Sequence, residues 1–395
     1  MRLAAFFHPK ARLWIAGRKK TFNQNLPRFA PTNKVIWFHC SSLGEFEQGR
    51  PLIETFKKKY PNYKIALTFF SPSGYTIRKN YNHADWIGYL PHDTLKNAKK
   101  FITLLHPSMV FFVKYEFWFN YIAILKQKKI PLFVVSGIFR KTHYFFKWYG
   151  NYFLNQLKSI DHFFVQNEQS EKLLKSYGIS QVTTTGDTRY DRVIEVSEGS
   201  LSFPEIEDFI GSNKVFVAGS TWQKDEVLLT KLISESNSDF KFITAPHELK
   251  NVPHLARQFE GKAVKYSEIS TTNNLSDKTV LIIDTIGMLS SIYQYASIAY
   301  IGGGFGTGIH NTLEPAVFGT PIIFGPNYHK FDEAVLLIEQ GGAFSINSYK
   351  ELVEKFHALA SNEMHRKMAG EMSKHVVFSN AGATEKIMGH ISSVL

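Results

Sequence analysis

Acidic and hydroxyl side chains follow three predicted strands in the first half of the chain. The turn His39–Glu45 (HCSSLGE) ends the first strand and brings Glu45 to the start of a helix. A glutamate placed there can act as a general base toward a hydroxyl, or can only stabilise the helix N-terminus. Ser71–Gly74 and Lys114–Trp118 follow two further strands, and the latter carries Glu116. Because parallel strands share the edge at which they end, we expect these three loops to form one site.

A strand, a turn of small residues and a helix follow one another around Val215–Thr221 (VFVAGST). With Ser220 or Thr221 as the N-cap, the amides of such a turn are suited to a phosphate. The turn has a single glycine, which excludes a P-loop and the dinucleotide fingerprint.

A glycine-rich turn follows a later strand, and Gly302–Gly306 (GGGFG) allows close approach of the backbone to a ligand. We expect Gly304, Gly306 and His310 to contribute to this site. Asn311 and Glu314 are three residues apart, so we expect them to share a helix face, where a carboxylate can accept ribose hydroxyls.

Metal chemistry finds no support in the sequence, which lacks an H-E-x-x-H motif, a Cys/His cluster and an Asp-x-Asp pair. The single cysteine, Cys40, excludes an internal disulfide and has no evident base beside it. We therefore predict a packing role for Cys40.

Strands and helices alternate along the whole chain, which predicts parallel βαβ units. We predict an α/β protein with two Rossmann-like, doubly wound domains facing each other across a cleft. The domains are expected at residues 1–195 and 214–395, with a linker at 196–213. The last helices are candidates for packing back onto the N-terminal domain. The predicted strands are Val35–His39, Lys64–Phe70, Met109–Val113, Pro131–Ser136, His162–Gln166, Val182–Thr185, Val215–Ala218, Phe240–Thr244, Val280–Ile283, Ile298–Ile301 and Pro321–Phe324.

The charge of the chain is divided unevenly. Its 395 residues are 44% hydrophobic and 20% charged, which is typical of a soluble globular protein. Residues 1–195 hold 30 Lys and Arg against 12 Asp and Glu, whereas residues 196–395 hold 16 against 22. This asymmetry favours an anionic partner for the first half, although a solvated basic surface is the alternative.

Two aromatic and basic segments predict contact with an anionic membrane. The first 44 residues contain eight Lys or Arg and no acid, and aromatic residues are interleaved with these cations, as at an interface. The second segment, Tyr144–Phe153 (YFFKWYGNYF), is either core or lipid-facing. The first group comprises Arg2, Lys10, Arg12, Arg18, Lys19, Lys20 and Arg28, with Phe6, Phe7, Trp14 and Phe22.

The order of the motifs resembles a known family. The strings HCSSLGE, SPSG, YEFW, GDTRYD, AGST and GGGFGTGIHNTLEPAVFGTPIIFGP follow one another between His39 and Ala343. In this order they resemble the 3-deoxy-D-manno-octulosonic acid (Kdo) transferases of lipopolysaccharide assembly, which are GT-B glycosyltransferases. The resemblance implies inverting transfer of Kdo from CMP-Kdo to a lipid A precursor (lipid IVA), without metal or cofactor. It further implies a peripheral protein at the cytoplasmic face of the inner membrane, with no nucleic-acid partner.

The resemblance also assigns roles to residues. Glu45 matches the catalytic base, and Glu116 matches a second acid on the acceptor side. The other acceptor-side residues expected are Ser42, Gly44, Ser71, Ser73 and Gly74. The residues expected to bind CMP-Kdo are Arg189, Ser220, Thr221, His247, Gly304, Gly306, His310, Asn311 and Glu314.

Two departures from the family pattern stand out. The family often has Pro-Arg-His after the second strand of the C-terminal half, where this chain has Ala245-Pro246-His247-Glu248, so an arginine expected at the phosphate is missing. Members commonly carry an N-terminal membrane anchor, and we expect it to be absent or to precede the given start. Alternatives are a GT-B enzyme that uses a UDP- or ADP-sugar, and a non-catalytic binder of anionic lipid or nucleic acid.

Overall fold

Strands and helices alternate as the sequence predicts. The structure is a computed structural model that describes residues 14–15, 17–18, 21–22, 29–236, 239–259, 261–272 and 274–395. The strands are β1 (Val35–Cys40), β2 (Lys64–Phe69), β3 (Trp86–Tyr89), β4 (Pro107–Val113), β5 (Leu132–Gly137), β6 (His162–Val165), β7 (Val182–Thr184), β8 (Lys214–Thr221), β9 (Phe240–Pro246), β10 (Ala263–Lys265), β11 (Val280–Ile282), β12 (Ile298–Ile301), β13 (Ile322–Phe324) and β14 (Ala343–Ser345).

The helices between these strands are mostly short. They are α1 (Leu43–Lys59), α2 (Pro72–Arg78), α3 (Leu95–Leu105), α4 (Phe119–Gln127), α5 (Asn151–Leu157), α6 (Glu168–Ser176), α7 (Thr188–Glu198), α8 (Pro204–Ile210), α9 (Gln223–Glu235), α10 (Val252–Gln258), α11 (Leu289–Ile292), α12 (Leu313–Ala316), α13 (Asp332–Glu339), α14 (Tyr349–Ser361), α15 (Glu363–Ser379) and α16 (Ala383–Ser392).

The chain divides into two compact units. Among the described residues, the first unit runs to Arg192 and also includes Ala381–Leu395, and the second comprises Val193–Asn380. Residues 196–213, predicted as a linker, contain the end of α7 and all of α8, whose Ile206 and Phe209 are buried.

Each unit is built on a parallel sheet of seven strands. The strand order is β3-β2-β1-β4-β5-β6-β7 in the first unit and β10-β11-β9-β8-β12-β13-β14 in the second. All the strand pairs are parallel. The predicted class is confirmed for each unit: an α/β, Rossmann-like sheet.

The apolar runs of the strands are explained by helices on both faces of each sheet. All six residues of β1 are buried. Val35 and Trp37 belong to one core cluster of the first unit, and Ile36 and Phe38 belong to the cluster on the opposite face. The C-terminal helix α16 contributes Ile387 to the second of these clusters.

The sheet order identifies where a ligand is expected in each unit. The chain leaves β1 toward β2 on one side and returns to β4 on the other, so the order reverses between β1 and β4. In the second unit the reversal lies between β8 and β12. Ligands of open α/β sheets bind outside the carboxyl ends of the strands at such a reversal.

Two residues of the N-terminal segment that was predicted to contact the membrane are instead buried in the protein. Trp14 and Arg18 are buried, and the Arg18 guanidinium lies 3.9 Å from the Trp14 ring centroid and 4.4 Å from that of Phe70. Arg18 Nη2 also donates to the Phe70 carbonyl oxygen at 2.6 Å. The lipid-facing prediction is therefore wrong for these two residues, because their rings and cation pack against the β2 end. Residues 1–13, 16, 19–20 and 23–28, which carry most of that prediction, lie outside the described residues.

Candidate active site

The first site lies at the reversal between β1 and β4, and it contains Ser42, Glu45, Ser71, Ser73 and Glu116; we call these residues the first-unit cluster. The loops after β1, β2 and β4 follow neighbouring strands, as predicted.

Glu45 and Glu116 both lie close to Cys40. Burial raises the pKa of the Cys40 thiol, and the two carboxylates raise it further. Cys40 is fully buried, which confirms its packing role.

Glu45 occupies the third position of α1 and caps that helix. Ser42 is the N-cap; its backbone N–H donates to Glu45 Oε2 at 2.7 Å, and its hydroxyl donates to the same oxygen. Glu45 Oε1 has no hydrogen-bond partner among the residues that the structure describes. Glu45 is partly exposed, and Gly44 beside it is exposed. The helix-capping role and an available carboxylate oxygen therefore coexist in one residue.

The loop after β2 is held by the loop after β1. Ser71 N–H donates to the Ser41 carbonyl oxygen at 2.6 Å, and the Ser71 side chain caps α2 by accepting from Ser73 N–H at 3.3 Å. A Cβ on Gly74 would lie 2.3 Å from the Phe69 ring, so only glycine fits there. Gly74 is therefore required for packing, and it has no side chain that could bind a ligand.

Glu116 follows β4 and points toward β1. Its Oε2 lies 3.5 Å from Nε2 of His39, which is fully buried. His39 belongs to the HCSSLGE string but was not among the residues expected at the site. The sequence signal for His39 is its position two residues after Trp37, which places both residues on the same face of β1.

The second site lies at the reversal between β8 and β12 and contains Ser220, Trp222, His247, His310, Asn311 and Glu314; we call these residues the second-unit cluster. The glycine-rich turn meets the end of β8 through the backbone: Gly302 N–H donates to the Gly219 carbonyl oxygen at 2.9 Å. A Cβ on Gly302 would lie 2.3 Å from the Ser220 carbonyl oxygen, and one on Gly304 would lie 2.5 Å from Gly325 N. The glycines therefore let backbone segments touch.

The predicted N-cap at Ser220 or Thr221 is wrong. Strand β8 continues through Thr221, and Trp222 is the N-cap of α9. Ser220 has φ +54°, which turns the strand at that point. Thr221 is fully buried, and its hydroxyl faces Glu226 at 3.4 Å. The Thr221 side chain is consequently buried against Glu226 and does not cap α9.

Asp225 joins the two loops and was not predicted. One oxygen accepts from Trp222 N–H and from Gly303 N–H, each at 2.9 Å, and the other accepts from the Tyr300 hydroxyl at 2.8 Å. Asp225 is buried. It fixes the start of α9 against the glycine-rich turn.

Three aromatic rings form the surface of this site. The Trp222 and His247 rings stack with centroids 4.5 Å apart and planes at 21°, and His310 lies 4.6 Å from His247. Trp222 Nε1–H donates to His310 Nε2 at 2.9 Å, so this nitrogen must be unprotonated. Burial and the neighbouring His247 lower the pKa of His310 to about 4. His310 is therefore a neutral ring at pH 7 and does not replace the missing arginine by charge.

The remaining predicted donor residues are placed as follows. Asn311 precedes α12, so the expected shared helix face is wrong; instead its side-chain amide donates to Glu314 Oε1 at 3.1 Å. Gly306 is exposed and donates its N–H to the Gly303 carbonyl oxygen at 2.9 Å. Arg189 lies in the first unit, where its Nε donates to Asp187 Oδ2 at 2.8 Å.

Comparison with known proteins finds several similar transferases. Residues 15–192 match the family described as 3-deoxy-D-manno-octulosonic-acid transferase (kdotransferase). The 3-deoxy-D-manno-octulosonic acid transferase of Aquifex aeolicus is 28% identical over 351 residues, which cover 85% of this chain and 90% of that protein. The transferase of the same name from Chlamydia trachomatis serovar A is 27% identical over 384 residues, covering 93% and 87%.

The chain is similar to 3-deoxy-D-manno-octulosonic acid transferases over most of its length, and residues 15–192 match their family model. It is accordingly a glycosyltransferase. The structure of UDP-GlcNAc 2-epimerase from Neisseria meningitidis bound to UDP-GlcNAc matches with a TM-score of 0.63 at 16% identity, covering 91% of this chain and all (100%) of that chain. At this identity the likeness shows the fold alone, and it confirms the predicted GT-B fold class.

Proposed function

We propose that this chain transfers Kdo from CMP-Kdo to a hydroxyl of the lipid A precursor lipid IVA, with inversion and without a metal. The observation that supports this most strongly is Glu45 at the β1–β4 reversal of a chain that is similar to Kdo transferases, with Oε1 available. In one displacement step, a bond forms between the acceptor oxygen and the anomeric carbon while the bond from that carbon to the CMP phosphate breaks. Glu45 takes the hydroxyl proton, and CMP leaves with the bonding electron pair.

The first-unit cluster is proposed to hold the acceptor. Glu116 would provide a second acid beside Glu45, and the hydroxyls of Ser71 and Ser73 would bind sugar oxygens. The +18 balance of residues 1–195 suits the phosphates of lipid IVA. Arg189 would contribute to the CMP phosphate, although it must then share its charge with Asp187.

The second-unit cluster is proposed to hold CMP-Kdo. Backbone N–H groups of the glycine-rich turn would bind the phosphate, and the Asn311–Glu314 pair would accept ribose hydroxyls. The flat surface of Trp222 and His247 would stack on a planar group such as the cytosine base. His310 would provide no positive charge in this arrangement, because its ring is neutral at pH 7.

An exposed aromatic patch in the first unit is proposed to dock on the anionic inner-membrane surface. Trp148 is 89% exposed, and Tyr149 and Tyr152 are exposed beside it, whereas Phe145 and Phe146 are buried. The run Tyr144–Phe153 thus divides into core and surface residues. Exposed Arg140, Lys141 and Lys147 flank the patch, as expected for anionic headgroups. In the described part of the chain, no helix combines the length and apolarity of a membrane span.

Donor choice provides the test of this proposal. Purified protein is incubated with lipid IVA and, in separate reactions, CMP-Kdo, a UDP-sugar and an ADP-sugar, and nucleotide release is measured. We expect release of CMP from CMP-Kdo that depends on lipid IVA. Release of UDP or ADP, with CMP-Kdo intact, would instead favour a GT-B enzyme with a different donor. Binding of lipid IVA without consumption of any donor would favour a non-catalytic binder.

A further inference from the structure

A buried chain of polar side chains connects the core of the first unit with Glu116. Trp37 Nε1–H donates to Thr68 Oγ1 at 2.8 Å, and Thr68 Oγ1 lies 2.8 Å from His39 Nδ1. His39 Nε2 in turn faces Glu116 Oε2 at 3.5 Å. Trp37, His39 and Thr68 are fully buried. The chain arises because Trp37 and His39 lie on one face of β1, and Thr68 of β2 pairs in register with His39.

The partners of Thr68 determine which nitrogen of His39 carries the proton. An indole N–H can only donate, so Thr68 Oγ1 accepts from Trp37. The Thr68 hydroxyl proton has two possible acceptors: His39 Nδ1 at 2.8 Å and the Phe38 carbonyl oxygen at 3.4 Å. The shorter contact assigns the proton to the bond with Nδ1. His39 Nδ1 is then an acceptor, and the proton of the imidazole lies on Nε2.

The opposite tautomer is unfavourable on both sides of the ring. It would leave the Thr68 hydroxyl with only its long contact to Phe38. It would also direct the Nε2 lone pair at the Glu116 carboxylate. Nε2 is buried and has no other hydrogen-bond partner among the described residues. An N–H directed at Glu116 is the arrangement that gives this buried nitrogen a favourable neighbour.

We propose that His39 is a positioning residue that directs its Nε2–H at Glu116 and thereby fixes the orientation of that carboxylate at the acceptor side. Thr68 and Trp37 fix the tautomer and the plane of the His39 ring from the core. The 3.5 Å contact shortens to a hydrogen bond when the acceptor excludes water, since such contacts are often long in the absence of substrate. The role of Glu116 in transfer rests on the proposed function, whereas the tautomer of His39 does not.

The tautomer is tested first, on the intact wild-type chain. Nitrogen NMR of ¹⁵N-histidine-labelled protein is recorded, and the His39 signals are assigned by their loss in His39→Gln. We expect a protonated Nε2 and an unprotonated Nδ1 at neutral pH. Glu116→Gln should shift the Nε2 signal and leave Nδ1 nearly unchanged. A proton on Nδ1, or an Nε2 signal that does not respond to Glu116→Gln, would overturn the proposal without any activity assay.

Kdo transfer is then compared in matched variants. Thr68→Val removes the hydroxyl at nearly constant shape, and Thr68→Ser keeps it. A glutamine at 39 can place an N–H near the Nε2 position, whereas an asparagine reaches only the Nδ1 position. We expect Thr68→Val and His39→Asn to lower kcat by about 10- to 100-fold with the KM for CMP-Kdo unchanged. Thr68→Ser and His39→Gln should remain closer to wild type.

The coupling between His39 and Glu116 separates positioning from a general effect on folding. In a double-mutant cycle, His39→Asn should have little further effect on kcat once Glu116 is Gln, because no carboxylate remains to be oriented. Independent, multiplicative effects would refute the positioning role. If wild-type protein does not transfer Kdo, the proposed function fails, and the NMR result still decides the tautomer.

Discussion

Glu45 has a helix-capping role and a proposed catalytic role, and a pair of substitutions can separate the two. Glu45→Ala removes the carboxylate and the helix cap together. Glu45→Gln removes the base but keeps an oxygen for the Ser42 N–H, and glutamine serves in a capping box as glutamate does. We therefore expect both variants to lose transfer, and only Glu45→Ala to lose stability.

The two effects differ widely in size. Loss of a helix cap costs about 1 kcal/mol. For a unit of roughly 200 residues, this corresponds to a decrease in Tm of about 2–4 °C. General base catalysis contributes about 10²–10⁴-fold to the rate. A capping defect of this size leaves most molecules folded at 25 °C, so it does not explain a rate loss of that order.

The assay is kcat for CMP release with saturating lipid IVA, together with thermal unfolding of each variant. Calorimetric binding of CMP is the control, because the proposed donor residues of the second unit are unchanged in both variants. Glu45→Gln with wild-type kcat would refute the base and leave Glu45 a helix-capping residue. Equal loss of Tm in both variants would contradict the capping argument.

Three further predictions follow from the two units. Asp225→Asn replaces an acceptor oxygen by a donor in a buried cluster, so we expect a destabilisation of about 1–3 kcal/mol in denaturant unfolding and weaker CMP binding; unchanged affinity would show that Asp225 does not hold the donor loops. Trp148→Ser should reduce sedimentation with anionic vesicles several-fold at constant salt and leave transfer to detergent-dispersed lipid IVA unchanged. Equal sedimentation of both proteins would exclude this patch as the docking surface. Because the pKa of His310 is about 4 in the folded chain and ordinarily 6.5, the unfolded state binds the extra proton between these values. Stability should therefore fall as pH is lowered from 6.5 to 4, and His310→Gln should flatten that pH dependence; an unchanged pH profile would contradict a neutral His310.

The interior strands and the edge strand β7 were predictable from the sequence, and the other three edge strands were not. The interior strands are apolar runs because helices cover both faces of the sheets. The three strands that the pattern missed, β3, β10 and β14, are all at sheet edges. They have three or four residues, and in β10 and β14 only the central or first residue is buried. Short, half-exposed strands lack the continuous apolar run on which the prediction depends.

The position of the site was predictable, but several contacts in it were not. Glu45 and Glu116 could be located because they follow strands, and strand ends meet at the sheet edge. The N-cap at Trp222 could not be predicted, because it depends on the positive φ of Ser220, which the residue type does not indicate. The hydrogen bonds of Asp225 and the contacts of His39 depend on which strands are neighbours, and sequence spacing does not provide that information. The division of Tyr144–Phe153 into buried and exposed rings likewise follows from packing.

The most direct test of the central claim is the mass of the acceptor after reaction. Lipid IVA is incubated with CMP-Kdo and the full chain, extracted and examined by mass spectrometry, with Glu45→Gln as the control. The account predicts that lipid IVA gains the mass of at least one Kdo residue with wild-type protein and keeps its mass with Glu45→Gln. Lipid IVA of unchanged mass after incubation with folded wild-type protein would contradict it.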